Sequence, residues 1–481
     1  MSRAAVFPVI IVIAVLAASA HAANSDGMIA PGPDRPWRVP DSGRYTAINR
    51  ATADEPAIDS GRVYELAELI DIAQRSNPET RMAWEQARQA ALGVGISASA
   101  YAPVLSAKAA AGAQHVSSPL PTTLNPEGFF VADTQFFLPS LTLKWLLFDF
   151  GGEEATLDAS RQALAAANFG FNAMHQKIVF DVTRAYYTLN AVHGRADVAQ
   201  AALALAQTLQ DAAESRRARG LATLPEVLQA REQSARAAYD LQESIAAETD
   251  ARMALLEAMG VRPTTSLSVA SLEGRTLSAA MEGTAEKLID RALAQRPDLM
   301  ARVATLRARE ADIRKAESEF RPRVVFAGDL GRNIGRVRTD GPWSSVNEPA
   351  YGAAIAIELP LFDGGLRRDR LDVARSQRRV AEEELERASD QTARQVVKAY
   401  EDLKVGLRRA EAAVALLTAA QKANDAAIDS YRNGVATFVD VKNAQTALIR
   451  ARNTDIETRS AVFTAAAALA FSTGDLAAPQ P

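Results

Sequence analysis

The sequence predicts a mostly α-helical chain that also carries a membrane β-barrel, arranged as two tandem repeats of helix, β-hairpin, long helix and helix. Three observations support this prediction. The same motifs occur twice at nearly constant spacing, each copy contains a long stretch without proline, and each copy contains a segment in which apolar and polar residues alternate. With 48% hydrophobic and 23% charged residues, the chain has the composition of a folded protein.

Composition excludes several kinds of functional site. The chain has no cysteine, so disulfides, thiolate metal sites and iron–sulfur clusters are impossible. Its four histidines are too scattered to build a metal site, and a net charge of −4 argues against a nucleic-acid partner. The sequence also lacks a nucleophile elbow, a phosphate-binding loop and a dinucleotide fingerprint. We therefore expect neither enzymatic activity nor a cofactor.

The N-terminus has the features of an export signal. Arg3 precedes an apolar run that ends in small residues suited to cleavage, so we expect residues 1–22 to be a signal peptide. The run is short for a membrane span, although an uncleaved anchor helix is the alternative. Residues 23–61 are rich in proline and predict an extended arm, with a disordered tail as the alternative. The mature chain is therefore expected to be exported.

The rest of the chain is duplicated. The 25-residue spacing of Pro78 and Pro103 recurs at Pro297 and Pro322, and the Gly-Leu-Ala-Thr sequence at Gly220 recurs as Gly-Val-Ala-Thr. We place repeat 1 at residues 62–281, repeat 2 at 282–474 and a flexible tail at 475–481. Phe-Asp-Phe-Gly-Gly at 148–152 aligns with Phe-Asp-Gly-Gly at 362–365 if the first copy carries one extra residue.

Each repeat predicts one helix before the hairpin and two long helices after it. The first helices are expected at about 79–101 and 298–320, and the long helices at about 152–259 and 365–472. Apolar residues recur there at steps of three and four, the spacing of coiled-coil packing. These residues are Phe171, Met174, Ile178, Val182, Ala185, Leu189 and Val192, and Val396, Tyr400, Leu403, Leu407, Ala410, Val414 and Leu417.

The strands are expected at about 104–148 and 323–362, where the period changes to two. Lys144 and Glu358 would lie on a polar face. Aromatic residues near the hairpin ends would form an interfacial girdle, namely Phe129, Phe130, Phe136, Phe137, Trp343 and Tyr351. The residues predicted to face lipid are Leu141, Leu143, Trp145, Ile355 and Ile357.

Four strands cannot close a barrel, and lipid does not tolerate open sheet edges. If these strands span a membrane, several chains must therefore share one barrel. Two chains would give eight strands with a packed interior, whereas three would give twelve strands with room for a pore. The strand count leaves both open. For each hairpin taken alone, a soluble hairpin is the alternative.

The order and spacing of these features resemble the TolC-like outer membrane efflux protein family over residues ~62–474. The motifs concerned are Leu147-Phe148-Asp149, Leu361-Phe362-Asp363 and Tyr431-Arg432-Asn433-Gly434. The resemblance implies a homotrimer with a 12-stranded β-barrel on a long α-helical tunnel, located in the outer membrane and extending into the periplasm. It implies a passive exit duct of a tripartite efflux pump or type I secretion system. The expected partners are a periplasmic adaptor (membrane fusion) protein, an inner-membrane pump of RND or ABC type, and outer-membrane lipid. A soluble periplasmic coiled-coil scaffold or adaptor is the alternative.

The resemblance also assigns roles to the turns between the long helices. It implies that these turns dock the adaptor through Arg219, Gly220, Leu221, Gly434 and Val435. It implies a periplasmic gate at Glu226, Tyr431, Asp440 and Asn443. In the family, acids occupy the positions of both Asp440 and Asn443, so this chain would keep one acidic ring and lack the other. An ordinary aspartate at a helix start is the alternative for Asp440. The exported substrate is left open, and drugs, metal ions and polypeptides all fit.

Overall fold

A computed structural model describes residues 58–119, 121–123, 127–272, 283–339 and 341–476. The expected signal peptide, residues 23–57 of the expected arm and residues 477–481 of the expected tail lie outside the described residues. The chain divides into two compact units. One contains Ala98–Gly151 and Ser318–Asp363, and the other contains Asp54–Ser97, Gly152–Glu317 and Gly364–Pro481.

Helices make up most of the second unit, which confirms the mostly α-helical prediction. In chain order they are α1 (Leu66–Ser76), α2 (Pro78–Ser99), α3 (Gly152–Ala218), α4 (Leu224–Met259), α5 (Ala285–Gln295), α6 (Pro297–Ser318), α7 (Leu366–Arg432) and α8 (Phe438–Thr473). The short helices α1 and α5 were not anticipated as separate elements. They end because Asn77 and Arg296, each followed by proline, take extended backbone conformations.

Within the described residues, we find no helix with an apolar stretch of the length needed to span a bilayer.

The long helices repeat without any change of length. Helices α3 and α7 have 67 residues each, and α4 and α8 have 36 each. Helix α3 packs along α4, α7 packs along α8, and α8 also packs along α3. The four helices therefore form a row in the order α4, α3, α8, α7. The apolar seam predicted from the sequence contributes the buried residues Ile178, Val182, Leu189, Val396, Leu403 and Ala410.

The strands of the first unit are β2 (Val104–Pro119), β3 (Phe129–Phe148), β5 (Arg323–Arg338) and β6 (Ser344–Glu358). They form one antiparallel sheet in that order. The last strand ends at Glu358 and does not continue to about residue 362 as predicted. Two further strands, β1 (Val63–Tyr64) and β4 (Ser268–Val269), form a short parallel pair in the helical unit.

The register separates the two faces of the sheet. Trp145 lies opposite Phe326, which lies opposite Ile355, so these three side chains share one face. This apolar strip comprises Leu105, Leu141, Leu143, Trp145, Val324, Phe326, Leu330, Ile334, Ile355 and Ile357. Lys144 and Glu358 lie on the other face. That face also carries apolar residues, among them a direct cross-strand pair, Leu146 with Val325, next to an irregularity between Leu146 and Phe148.

The aromatic residues predicted to form one girdle do not all lie on one face of the sheet. Phe129, Phe137 and Tyr351 lie on the face of the apolar strip, but Phe130 and Phe136 lie on the opposite face. The reason is that neighbouring residues of a strand point to opposite faces, so adjacent aromatics cannot belong to one girdle. The ring of Phe136 covers Gly112 of the neighbouring strand, where an added Cβ would lie 2.8 Å from it.

The alignment with an extra residue in the first copy is wrong. Phe150 and Gly151 have φ values of 56° and 92°, and Gly364 and Gly365 have the matching values of 68° and 97°. Phe150 therefore occupies the position of Gly364, and no residue is inserted. A phenylalanine rarely adopts a left-handed conformation. Here its ring packs edge-on against Phe148, with the centroids 4.7 Å apart.

Candidate gate at the helix tips

The two turns between the long helices are built in the same way. Gly220 and Gly434 have φ values of 74° and 75°, a conformation that glycine adopts at helix ends without steric cost. At each turn an amide then bonds back to the preceding helix, Leu221 N to the Arg216 carbonyl and Val435 N to the Ser430 carbonyl, both at 2.9 Å. Thr223 and Thr437 cap the following helices with their side chains. We call these two turns the tips.

A small apolar cluster joins the tips. Ala213 of the first hairpin is fully buried, and Val227, Ala230 and Phe438 pack with it. Tyr431 of the second hairpin packs against the same cluster. A peripheral ion pair between Lys442 Nζ and Glu232 Oε2, at 3.0 Å, also connects the hairpins. The two tips of one chain are therefore held together.

Tyr431 makes a second polar link between the tips. Its hydroxyl donates a hydrogen bond of 2.7 Å to Glu226 Oε1 on α4, and the Arg216 guanidinium carbon lies 4.9 Å from the centre of its ring. Burial, and then the bond to the Glu226 carboxylate, raises the pKa of Tyr431 to about 12, although Arg216 acts in the opposite direction. Tyr431 therefore stays protonated and keeps donating this bond at physiological pH.

Asp440 makes different contacts from its counterpart Glu226. Both are the third residue of a helix after a capping threonine. The exposed Asp440 carboxylate accepts bonds from Thr437 Oγ1 at 2.7 Å and Thr437 N at 2.8 Å. These bonds lower its pKa, so Asp440 is charged at neutral pH. The longer side chain of Glu226 reaches Tyr431. Asn443 is exposed one turn beyond Asp440 on α8.

The outer surface of each tip presents an apolar side chain. Leu221 is 63% exposed and Val435 is 83% exposed. Arg219 bonds to its own helix, with Nε 3.3 Å from the Ser215 carbonyl. The structure thus brings Glu226 and Tyr431 together, keeps Asp440 and Asn443 on an exposed surface, and leaves the predicted docking residues exposed.

Sequence reasoning missed Arg216, Phe438 and the Lys442–Glu232 pair. The only signal in the sequence was a run of basic residues at the end of α3, and that run does not show which arginine covers the Tyr431 ring. Phe438 follows the capping threonine, where an apolar residue commonly begins the buried face of a helix. Its contact with the other hairpin depends on the packing of residues more than 200 positions apart.

The residues of the apolar strip are also accessible. Ile357 is 72% exposed, Ile355 64%, Leu141 45% and Trp145 41%, whereas Leu143 is half-buried. Exposed aliphatic and aromatic side chains that cluster on one face of a sheet mark a surface for interaction.

Comparisons with known proteins agree with these features. The sequence profile of the outer membrane efflux protein family matches residues 69–261 and again residues 288–475. The chain is 27% identical to protein CyaE of Bordetella pertussis, over 85% of this chain and 84% of that protein. It is 26% identical to outer membrane protein OprJ of Pseudomonas aeruginosa, over 79% and 78% of the two chains. Its fold resembles that of VceC from Vibrio cholerae, with a TM-score of 0.71, 23% identity and coverage of 85% and 96%.

The profile matches twice, once in each repeat, and together the two matches cover most of the chain. They support the outer-membrane prediction and not the soluble periplasmic scaffold. From the two matches, and from the apolar strip and paired tips that accompany them, we conclude that the chain belongs to the outer membrane efflux protein family.

Proposed function

We propose that the protein is a homotrimeric channel-tunnel, the passive exit duct of a tripartite efflux pump or a type I secretion system. The observation that carries this proposal is the four-stranded sheet with an exposed apolar strip. Strands β2 and β6 form its edges, and a sheet in lipid must have no unpaired edge strands. Three copies supply twelve strands. Because each copy contributes four strands, an even number, the strands at every junction between copies can also pair antiparallel.

The faces of the sheet suit a water-filled barrel. The apolar strip would face lipid, including Leu141, Leu143, Trp145, Ile355 and Ile357. The opposite face carries Lys108, Lys144, Asp329, Glu348 and Glu358, which would line the pore. The row of four long helices, taken three times, would supply the twelve helices of a tunnel wall.

The tips supply the proposed contacts with other proteins. Leu221 and Val435 would dock a periplasmic adaptor, with Arg219 at the rim and the glycines setting the turns. An inner-membrane pump would provide the energy. Glu226, Tyr431, Asp440 and Asn443 would form the periplasmic gate. Three copies of Asp440 around one axis would attract cations to the constriction, because carboxylate rings select for positive charge.

Fractionation of the envelope tests the assembly. The full-length protein, produced in a Gram-negative host, should be recovered in the outer membrane. After extraction in detergent, light scattering should give three times the mass of the mature chain. A soluble periplasmic monomer or dimer would contradict the proposal.

Replacing Tyr431 with phenylalanine should favour the open gate. The change removes the hydroxyl that donates to Glu226 and leaves the ring under Arg216. A hydrogen bond to a charged group contributes about 1.5 kcal/mol or more, which is roughly tenfold in the opening equilibrium of each subunit. In planar lipid bilayers, the variant should conduct better than the wild type.

The matched control is Tyr239→Phe, since Tyr239 is 66% exposed on α4 and should have no effect on conductance. The pKa of Tyr431 adds a second check. Protonated Tyr431 stabilises the closed tips fully below pH 10, and that stabilisation is lost only as the pH rises through about 12. Wild-type conductance should therefore show no opening due to Tyr431 between pH 7 and 10. Equal conductance of the Tyr431→Phe variant and the wild type would show that this bond does not hold the gate.

A further inference from the structure

Helices α3 and α8 form an internal seam between the two repeats of one chain, and this seam contains two aromatic stacks. Phe180 stacks on Phe471 with the ring centroids 4.9 Å apart, and Tyr187 stacks on Phe463 at 5.2 Å. Ser460 Oγ donates a 2.7 Å bond to the Tyr187 carbonyl. An exposed ion pair, Arg195 with Glu457 at 3.2 Å, lies at the edge of the same seam.

The duplication assigns a counterpart to every residue of this seam. All four long helices keep one spacing, because Leu366 follows Gly152, and Phe438 follows Leu224, by 214 residues. Helix α7 is therefore the copy of α3, and α4 is the copy of α8. By the same relation, α7 should pack along an α4 as α3 packs along α8.

Within one chain this second seam does not form. Helices α4 and α7 are the two ends of the row. In the described part of the chain they meet at the tips, where Tyr431 contacts Glu226, but they do not pack along each other over their length. In a ring of identical chains, the α7 at the end of one row meets the α4 at the start of the next. A contact between two different surfaces that closes into a ring is the heterologous interface of a cyclic oligomer.

The residues at the equivalent positions are no longer aromatic, since Tyr187 and Phe463 correspond to Glu401 and Thr249. Phe180 and Phe471 correspond to Arg394 and Glu257. Arg195 and Glu457 correspond to Arg409 and Glu243, so this second pair keeps both its charges and their order. The two positions are 15 residues apart on α7 and 14 apart on α4, which places both pairs along one antiparallel seam.

Arg394, Arg409, Glu243 and Glu257 are all exposed. Among the residues that the structure describes, none of the four has an ion-pair partner, although many neighbouring charges on these helices do. The seam-facing surface of α7 is therefore positive at the two positions where that of α4 is negative. This charge complementarity points to a second copy of the chain as the partner.

We propose that α7 of each subunit packs along α4 of the next, with Arg394 paired to Glu257 and Arg409 paired to Glu243 across the boundary. The proposal rests on the ring assembly of the proposed function and names its contacts. The two aromatic stacks of the seam inside a chain are thus absent from the seam between chains, where ion pairs make the contact at both positions. Charged pairs also reject wrong registers, because a shift of one helical turn would leave them without partners.

Cross-linking between engineered cysteines tests the proposal, and the chain offers a clean background because it has no cysteine. Arg394→Cys combined with Glu257→Cys should react with a short bis-maleimide to give dimers and trimers on a denaturing gel. The matched control is Phe180→Cys with Phe471→Cys, which marks the internal seam and should remain at the mass of one chain. A register control, Arg394→Cys with Glu243→Cys, should not cross-link. Glu243 lies about 21 Å along α4 from Glu257, the proposed partner of Arg394.

Light scattering of the same samples separates the two proposals. A trimer that cross-links as expected supports the seam. A trimer in which the Arg394–Glu257 pair fails to link, or links no better than the register control, overturns the seam and leaves the duct intact. A monomer in detergent would contradict the duct itself.

Charge reversal provides a second test that does not depend on cysteines. Arg394→Glu places two negative charges at the boundary and should reduce the yield of detergent-stable trimer several-fold. Adding Glu257→Arg should restore at least half of the loss, because the pair is then reversed but complementary. A double variant no better than the single one would contradict the pairing.

Discussion

Replacing Leu141 with arginine should prevent the protein from assembling in the outer membrane, whereas the same replacement at Thr142 should be tolerated. Leu141 is midway along the apolar strip of β3, between Trp145 and Phe137. Arginine on the lipid face near the middle of a bilayer costs about 2–4 kcal/mol. A trimer contains the change three times, so the total is roughly 6–12 kcal/mol, comparable to the whole stability of a typical domain.

Thr142 is the matched control because it is the next residue of the same strand and faces the other way. Its cross-strand partner is Asp329, beside which an arginine gains an opposite charge. Outer-membrane recovery and trimer yield should be lost for Leu141→Arg and kept for Thr142→Arg. If both variants assemble equally, the apolar strip does not face lipid.

Replacing Gly260 with alanine should destabilise the fold far more than the same change at its repeat counterpart, Gly474. Both residues end a 36-residue helix with positive φ, 70° and 84°, so both variants incur left-handed strain of about 1–2 kcal/mol. The surroundings differ. At Gly260 an added Cβ would lie 2.6 Å from Asn77 Cα, whereas at Gly474 the nearest atoms of Arg296 are 3.5 Å away.

The clash at Gly260 is with backbone, which cannot rotate aside, so it should add about 1–3 kcal/mol of overpacking cost. Thermal unfolding in detergent, followed by the helical circular dichroism signal, compares the two variants. Gly260→Ala should show the larger fall in midpoint, and Gly220→Ala, with φ of 74° and open space around it, should resemble Gly474→Ala. Equal falls for all three would mean that strain alone determines the effect.

The duplication and the long helices could be predicted because they depend on local patterns. Proline-free runs and steps of three and four residues place α3 and α7, and glycine followed by a capping threonine places both tips. Alternation placed Leu141, Leu143, Trp145, Ile355 and Ile357 on a common face. That prediction could be made because a strand has a strict period of two.

The candidate gate was predictable only residue by residue. The resemblance assigned Tyr431 and Glu226 to the gate separately, and nothing in their spacing indicated a hydrogen bond between them. The bond requires the two hairpins to pack side by side, which depends on the cluster around Ala213 and Phe438. Asp440 differs because its partner, Thr437, is only three residues away. An ordinary aspartate at a helix start was the alternative to its gate role, and that local pattern can be read from the sequence.

Local chemistry thus established the element types, the repeat and the family, because turn glycines, caps and periodicities act over a few residues. Tertiary packing determined the contacts of particular side chains. Phe150 takes the left-handed position of a glycine, Phe136 covers Gly112, and Glu226 reaches Tyr431 while its counterpart Asp440 folds back on its own cap. Two repeats with the same local pattern diverge at these points because each meets a different neighbour. A neighbour far away in sequence acts on a side chain only once the chain has folded.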